Sequence, residues 1–320
     1  MLDRPALGVV MDPIHTLLPE KDSTIAVLTE AEQRGFELFY LEFPHLYLQY
    51  GIAWAHCQSL RISNQTQQNT NWYSLSKPTE RPLDQFDVIL IRKNPPFDPL
   101  YLYATQILEH AESNGTLIIN KPQSLRDANE KLFATWFPQC MPPTLVSANK
   151  TALISFMEEQ ECVILKPLNG MGGERIFKCT VDDPNRNVLI ELLTDQGTQY
   201  MMAQRFIPEI SEGDKRIMLI DGEPNPHAHS RTPTAPDFRG NLAAGGQTIS
   251  QDLTERDRWI CAQIGPTLRE KGLTLVGIDV IGDYLTEINV TSPGWKTDDQ
   301  IANNHITEHV VDCIIDKLNE

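Results

Sequence analysis

Apolar positions recur along the chain with the period of a strand in some stretches and of a helix in others, so strands and helices are predicted in alternation. The run Leu7-Gly8-Val9-Val10-Met11 predicts a first strand, and the next periodic stretch a helix over 23–34, with Ser23 as its N-cap and Gly35 just past its end. Strands over 37–43, 87–92 and 116–120 and a helix over 101–112 complete a βαβ-type unit. Within it, the polar stretch over 58–81, which contains Asn64-Gln65-Thr66-Gln67-Gln68-Asn69-Thr70-Asn71, reads as a surface excursion. Pro122 stops the strand before it, and Ser124 can cap a helix over 125–136. A helix over 151–159, strands over 162–167 and 175–179, a helix over 187–194 and a strand over 200–207 come next. The last third predicts a hairpin turning at Asp221-Gly222, a polar loop over 231–247 and a helix over 255–271. Strands over 273–281 and 284–290 and a terminal helix over 305–318 close the chain. The fold class is α/β (α+β), in three units over 1–123, 124–207 and 208–320.

Composition narrows the classes of function. No apolar run approaches the roughly 18–20 residues of a membrane span, and Met1-Leu2-Asp3-Arg4-Pro5 leads into a strand without the pattern of a signal peptide. Six cysteines without a C-x-x-C pair read as free thiols, and the expected location is the cytoplasm. The net charge of −16 argues against nucleic acid or an anionic membrane as partner, since both need clustered positive charge. An anionic substrate would therefore need a local cluster of Arg and Lys.

Three features supply one. In Ile164-Leu165-Lys166-Pro167-Leu168-Asn169-Gly170-Met171-Gly172-Gly173 a strand carrying a lysine runs into a glycine-rich turn. Glycines let backbone N–H groups approach phosphate oxygens, and the lysine adds a point charge. The arrangement is neither a Walker A loop nor a dinucleotide fingerprint, because no helix follows the turn. Second, Glu287 and Asn289 stand two apart in an apolar strand and so share a face, where hard oxygen ligands around Mg²⁺ would offset their burial. Asp279 joins them if it lies opposite Glu287, which predicts a three-residue loop Gly282-Asp283-Tyr284. Third, Arg216, Arg231 and Arg239 lie in or beside the polar loop, as a lid carrying cations onto a polyphosphate would. The pairs His227/His229 and His305/His309 lack a further obvious ligand for zinc, and no Gly-x-Ser-x-Gly is present.

Read together, ordered blocks along nearly the whole chain resemble the ATP-grasp superfamily and, within it, the prokaryotic glutathione synthetase family. They are Val10-Met11-Asp12-Pro13-Ile14, Lys21-Asp22-Ser23-Thr24, Ile91-Arg92-Lys93-Asn94-Pro95-Pro96-Phe97-Asp98, Asn120-Lys121-Pro122-Gln123-Ser124-Leu125-Arg126-Asp127 and Asn129-Glu130-Lys131-Leu132-Phe133. The Lys166 turn follows, then Gly213-Asp214-Lys215-Arg216, Arg239-Gly240-Asn241-Leu242-Ala243-Ala244-Gly245-Gly246 and Leu285-Thr286-Glu287-Ile288-Asn289-Val290-Thr291-Ser292-Pro293.

The resemblance implies an N-terminal substrate-binding domain followed by an ATP-grasp fold of two subdomains, with ATP between them. Lys131 and Lys166 would hold the phosphates under Gly170, Met171, Gly172 and Gly173. Gln204, Arg205, Phe206 and Ile207 would line the adenine, with Asp214 near the ribose. Asp279, Glu287 and Asn289 would hold Mg²⁺, with Mn²⁺ as an alternative, and Arg216, Arg231 and Arg239 would stabilise transferred charge. Asp12, Ser23, Arg92, Asn94, Gly246 and Thr291 would face the substrates, γ-glutamylcysteine and glycine, in a homotetramer. The chain departs from the family's pattern at Asn94, where that pattern has Asp, and at Gly294-Trp295-Lys296-Thr297-Asp298-Asp299 beside the acceptor site. A ligase using a different amine stays open as the alternative.

Overall fold

A computed structural model describes residues 4–19, 22–63, 72–233, 247–295 and 305–320. The first 120 residues run β1 (Ala6–Met11), α1 (Ser23–Gln33), β2 (Glu37–Leu41), β3 (Leu46–Gln49), β4 (Ile52–Ile62), β5 (Tyr73–Leu75), β6 (Thr79–Pro82), β7 (Val88–Arg92), α2 (Pro99–Ser113) and β8 (Leu117–Ile119). They form a sheet of order β3-β4-β2-β1-β7-β8, with β5 and β6 against β4. β1 pairs in parallel with β2 and β7, so the carboxyl ends of β1 and β7, with Met11 opposite Arg92, open on the same side.

Two expectations change here. Asp22, not Ser23, caps α1: its Oδ1 accepts from Thr24 N at 2.7 Å, while the Ser23 hydroxyl accepts from Arg92. Among its described residues, the stretch over 58–81 is mostly strand rather than excursion. In β4, Ala53, Ala55 and Cys57 are buried between half-buried or exposed neighbours, with Leu60 buried further on, a pattern masked in the sequence by the glutamines and asparagines that follow. Residues 64–71 lie outside the described residues.

Beyond β8 come α3 (Pro122–Asp127), β9 (Thr144–Ser147), α4 (Lys150–Gln160), β10 (Cys162–Pro167), β11 (Phe177–Thr180), α5 (Arg186–Leu193) and β12 (Met201–Arg205). The helix predicted over 125–136 stops at Asp127 and resumes only as a 3-10 turn, Phe133–Trp136. Between them the Asn129 side chain accepts from Lys131 N and Leu132 N, an Asx turn in place of helix. Strands β11-β10-β12-β9 form an antiparallel sheet with a core of its own, including Leu153, Val163, Leu165, Ile190 and Met201.

The last part runs β13 (Asp214–Ile220), β14 (Glu223–Pro224), β15 (His227–Thr232), β16 (Gln247–Asp252), α6 (Glu255–Glu270), β17 (Leu275–Ile281), β18 (Tyr284–Asn289) and α7 (Ile306–Asn319). Strands β16-β15-β13-β17-β18 make the third sheet, with β14 on β13. Its core is continuous with that of the first sheet, joining Val10, Ile89 and Leu108 to Ile217, Ile264 and Ile288. α7 returns to the first sheet, where Val310 and Ile314 pack with Leu7, Val9 and Leu28 and Asp312 accepts from Arg34 at 3.0 Å. Asn120 ties the two sheets directly: its amide donates to Leu275 O and Val290 O and accepts from Leu275 N, all within 2.8 Å. No helix among the described residues is long and apolar enough to cross a membrane.

The Asp221-Gly222 turn between β13 and β14 has positive φ at both residues, which suits glycine at the second. It packs backbone to backbone on α6. A Cβ on Gly222 would lie 2.6 Å from Gly265 O, and one on Gly265 would lie 2.4 Å from Gly222 O. Gly265→Ala is therefore expected to lower stability by about 1–3 kcal/mol, since neither backbone can yield without shifting the helix. Urea unfolding of the variant against the parent chain measures it.

Candidate active site

The second and third sheets face each other across one cleft. Its apolar lining is Ile164, Phe206, Ile207, Ile210 and Ile281. Its charged lining includes Lys131, Lys166, Arg216, Asp279 and Glu287. Gly170, Met171, Gly172 and Gly173, in the turn between β10 and β11, border the cleft, and Gly172 and Gly173 have positive φ. Arg205 also borders it and spans the two sheets by donating to the Tyr284 hydroxyl at 3.0 Å.

Lys166 is buried, and its Nζ donates to two neutral oxygens, Gln204 Oε1 at 3.1 Å and Thr286 O at 3.3 Å. Burial pushes its ammonium down to about 8, with nearby Glu287 pulling the other way. Lys131 Nζ bridges the sheets, donating to Gly170 O at 2.7 Å and Glu287 Oε1 at 2.9 Å. A phosphate entering here would find two ammonium groups already desolvated and aimed, so little reorganisation is left to do.

Opposite them, Asp279 accepts a two-pronged hydrogen-bonded ion pair from Arg216, at 2.6 and 3.0 Å, and forms a second ion pair with the Arg231 guanidinium at 2.8 Å. Burial alone would raise the Asp279 carboxyl, but the two guanidinium groups outweigh it and hold that carboxyl well below the usual range. Asp214 also pairs with Arg231, yet burial keeps its carboxyl raised, and its Oδ1 is buried without a hydrogen-bond partner. Asn289 donates to Gly277 O and Asp279 Oδ2, so its amide oxygen is the end these bonds leave uncommitted.

Asp279 does lie opposite Glu287, but not through a three-residue loop. The turn is the two-residue Gly282-Asp283, with Ile281 opposite Tyr284, and a β-bulge beyond Asp279 restores the pairing. Arg231 is likewise not on a loop: it sits in β15, buried between two carboxylates, with Thr248 of β16 opposite it. Arg239 and Gly246, with most of the expected lid, and Lys21 and Lys296 lie outside the described residues.

The remaining expected substrate contacts gather elsewhere, at the carboxyl ends of β1 and β7. Arg92 is buried, with its Nε donating to Thr24 Oγ1 at 3.1 Å, its Nη2 to Ser23 Oγ at 3.1 Å and to Pro293 O at 2.9 Å, and its plane over the Trp295 ring. Its Nη1 has no hydrogen-bond partner, and burial pushes the guanidinium down to about 10. Asp12 pairs with Lys93 Nζ at 2.6 Å and accepts from Asn94 N. Thr291 lines a smaller hollow that meets the main cleft at Glu130 and Gly170.

Glu130 was not anticipated. Its Oε1 accepts from Val290 N, Thr291 N and Thr291 Oγ1, which pins the exit of β18 just past Asn289. Burial and the proximity of Glu287 raise its carboxyl against those three donors. The only sequence signal was its place beside Lys131. Ile164, Ile210 and Ile281 were missed because an apolar residue lining a cleft looks the same in sequence as one in a core.

Family models match on both sides of this arrangement. The prokaryotic glutathione synthetase N-terminal domain matches residues 6–126, and the ATP-grasp domain of the same family matches residues 130–301. The chain belongs to the prokaryotic glutathione synthetase family. The glutathione synthetase of Pseudomonas syringae pv. tomato is 54% identical over 98% of this chain and 97% of its own length. That of Pseudomonas aeruginosa is 50% identical over 98% of each. Among solved structures, D-cycloserine synthetase superposes with a TM-score of 0.66 at 12% identity, over 98% of this chain and 99% of its own, which supports the ATP-grasp fold and nothing finer. The residues lining the cleft between the second and third sheets all fall within the span matched by the ATP-grasp domain.

Proposed function

We propose that this protein is a glutathione synthetase, joining γ-glutamylcysteine to glycine at the expense of ATP. The observation that carries the reading is the cleft itself, where Lys131 and Lys166 face Asp279, Glu287 and Asn289 across two sheets with Arg216 and Arg231 behind. The unit over 1–123 would receive the dipeptide, and those over 124–207 and 208–320 would close on the nucleotide, in a cytoplasmic homotetramer.

The adenine would lie beside Gln204, Arg205, Phe206 and Ile207, with the ribose at Asp214. Lys131 and Lys166 would hold the phosphates. Glu287 and Asn289, with Asp279 beside them, offer the hard oxygen donors that Mg²⁺ requires, and Mn²⁺ is accepted by the same chemistry. When bound, the ion neutralises phosphate charge. The cysteinyl carboxylate attacks the γ-phosphate, giving an acyl phosphate and ADP. Glycine's amine then displaces phosphate as the amide forms. The chain's contribution is position and charge: Arg216 and Arg231 sit where negative charge is transferred, already anchored by Asp279. Arg92, with its free Nη1, and Ser23, Asp12, Asn94 and Thr291 would orient the dipeptide and acceptor. Arg239 and Gly246 would act from the segment between β15 and β16.

The direct test measures ADP formation with γ-glutamylcysteine, with and without glycine, against a panel of other small amines. Glycine-dependent turnover abolished by EDTA supports the reading; turnover only with another amine moves the specificity while keeping the ligase chemistry. ATP affinity should also depend on pH. Lys166 is charged below about 8 and neutral above it, and phosphate favours the charged form. ATP binding is expected to weaken as pH rises through about 8, as isothermal titration across that range would record.

A further inference from the structure

Thr144, Gln204 and Lys166 share one face of the second sheet. Thr144 lies directly opposite Gln204 across β9 and β12, and Gln204 opposite Ile164 across β12 and β10. Lys166 stands two residues beyond Ile164, so its side chain returns to the same face. Three hydrogen bonds run through these residues in one sense. Lys166 Nζ donates to Gln204 Oε1 at 3.1 Å, Gln204 Nε2 donates to Thr144 Oγ1 at 3.1 Å, and Thr144 Oγ1 donates to Pro142 O at 2.8 Å. The last acceptor fixes the direction of the whole chain. A backbone carbonyl can only accept, so Thr144's single proton is committed to Pro142 and only its lone pairs are left for Gln204. Gln204 must then present its NH₂ to Thr144 and its oxygen to Lys166.

We infer that Thr144 is a positioning residue for nucleotide binding, locking the Gln204 amide so that the phosphate-binding Lys166 meets an acceptor rather than another donor. The inference rests on the nucleotide reading of the cleft and adds a residue that borders the site only through Gln204. Without the hydroxyl the amide is free to turn, and an NH₂ facing the ammonium disfavours its charged form. That penalty adds to the burial already pushing Lys166 down. The other charged groups that act on Lys166 are Glu287, Asp214 and Asp279, which favour its charge, and Lys131, which opposes it. None of the four is hydrogen-bonded to Thr144, so a change there reaches Lys166 through the amide alone.

The experiment is the ATP dissociation constant, with Mg²⁺ present, from about pH 6.5 to 9.5 for the parent chain and for Thr144→Val, Thr144→Ala and Thr144→Ser, with Tm measured alongside. The parent is expected to lose affinity along an alkaline limb that Lys166→Met abolishes. The midpoint of that limb should move down by about one pH unit in Thr144→Val and Thr144→Ala and return in Thr144→Ser, which restores the hydroxyl. Alanine adds no bulk, so a valine variant that fails to fold leaves the test intact. Midpoints unmoved in both hydroxyl deletions, a serine variant that behaves like alanine, or a limb that survives Lys166→Met would each overturn the relay. A parent chain that binds no ATP at all would instead overturn the nucleotide reading beneath it.

Discussion

Replacing Glu287 by glutamine is expected to lower glutathione formation by about 10²–10³-fold while leaving the fold intact. Glutamine keeps the shape and still offers Lys131 an acceptor in place of the Glu287 Oε1 at 2.9 Å, so the substitution removes charge and little else. That charge is one of two formal negative charges in the candidate metal set, and the other, on Asp279, is already balanced by two arginines. Glu287 is therefore the carboxylate with most charge to spare for a divalent ion. The Mg²⁺ concentration for half-maximal activity should rise together with the loss of rate. Steady-state kinetics over a Mg²⁺ series measures both. Full activity at ordinary Mg²⁺ would remove Glu287 from the proposed site.

Asp279→Ala should instead act first on stability, lowering it by about 3–5 kcal/mol, because Arg216 and Arg231 would lose a shared buried partner. Asp214 would remain for Arg231, but Arg216 would have neither of its two bonds to Asp279. The pH dependence has a definite sign. The folded-state pKa of Asp279 is depressed by the guanidinium groups, so its contribution is present above the unfolded carboxylate range and lost as pH falls through the folded value. The stability gap between variant and parent should begin to narrow as pH falls through the unfolded range and close only below the folded value of about 2. Chemical denaturation at pH 7 and at about pH 3 separates this from a simple loss of packing: the gap between parent and variant should already be clearly smaller at pH 3, whereas a packing loss would be the same at both.

The parts of the site written as local patterns were legible in the sequence. Lys166 ahead of three glycines, and Glu287 two residues before Asn289, are strand arithmetic, and the structure brings them to one cleft. What failed was whatever depended on partners distant in sequence. His227-Ala228-His229-Ser230-Arg231-Thr232 carries little apolar signal and so reads as loop; Arg231 is buried in β15 because Asp214 and Asp279 meet it there. The opposition of Asp279 and Glu287 was anticipated, but a β-bulge achieves it, and a bulge leaves no mark in a run of apolar residues. β9 was missed for a similar reason. It is a short strand in which every residue is only partly covered, and Thr144 acquires its role only when Gln204 is set opposite it.

The most direct test of the ligase account follows oxygen rather than rate. γ-Glutamylcysteine labelled with ¹⁸O in its cysteinyl carboxylate is incubated with ATP, Mg²⁺ and glycine, and the phosphate and peptide are examined by mass spectrometry. If the carboxylate attacks the γ-phosphate and the amine then displaces it, each phosphate released carries one labelled oxygen and each glutathione retains one. Unlabelled phosphate, or phosphate released without amide product, would contradict an acyl phosphate formed in this cleft.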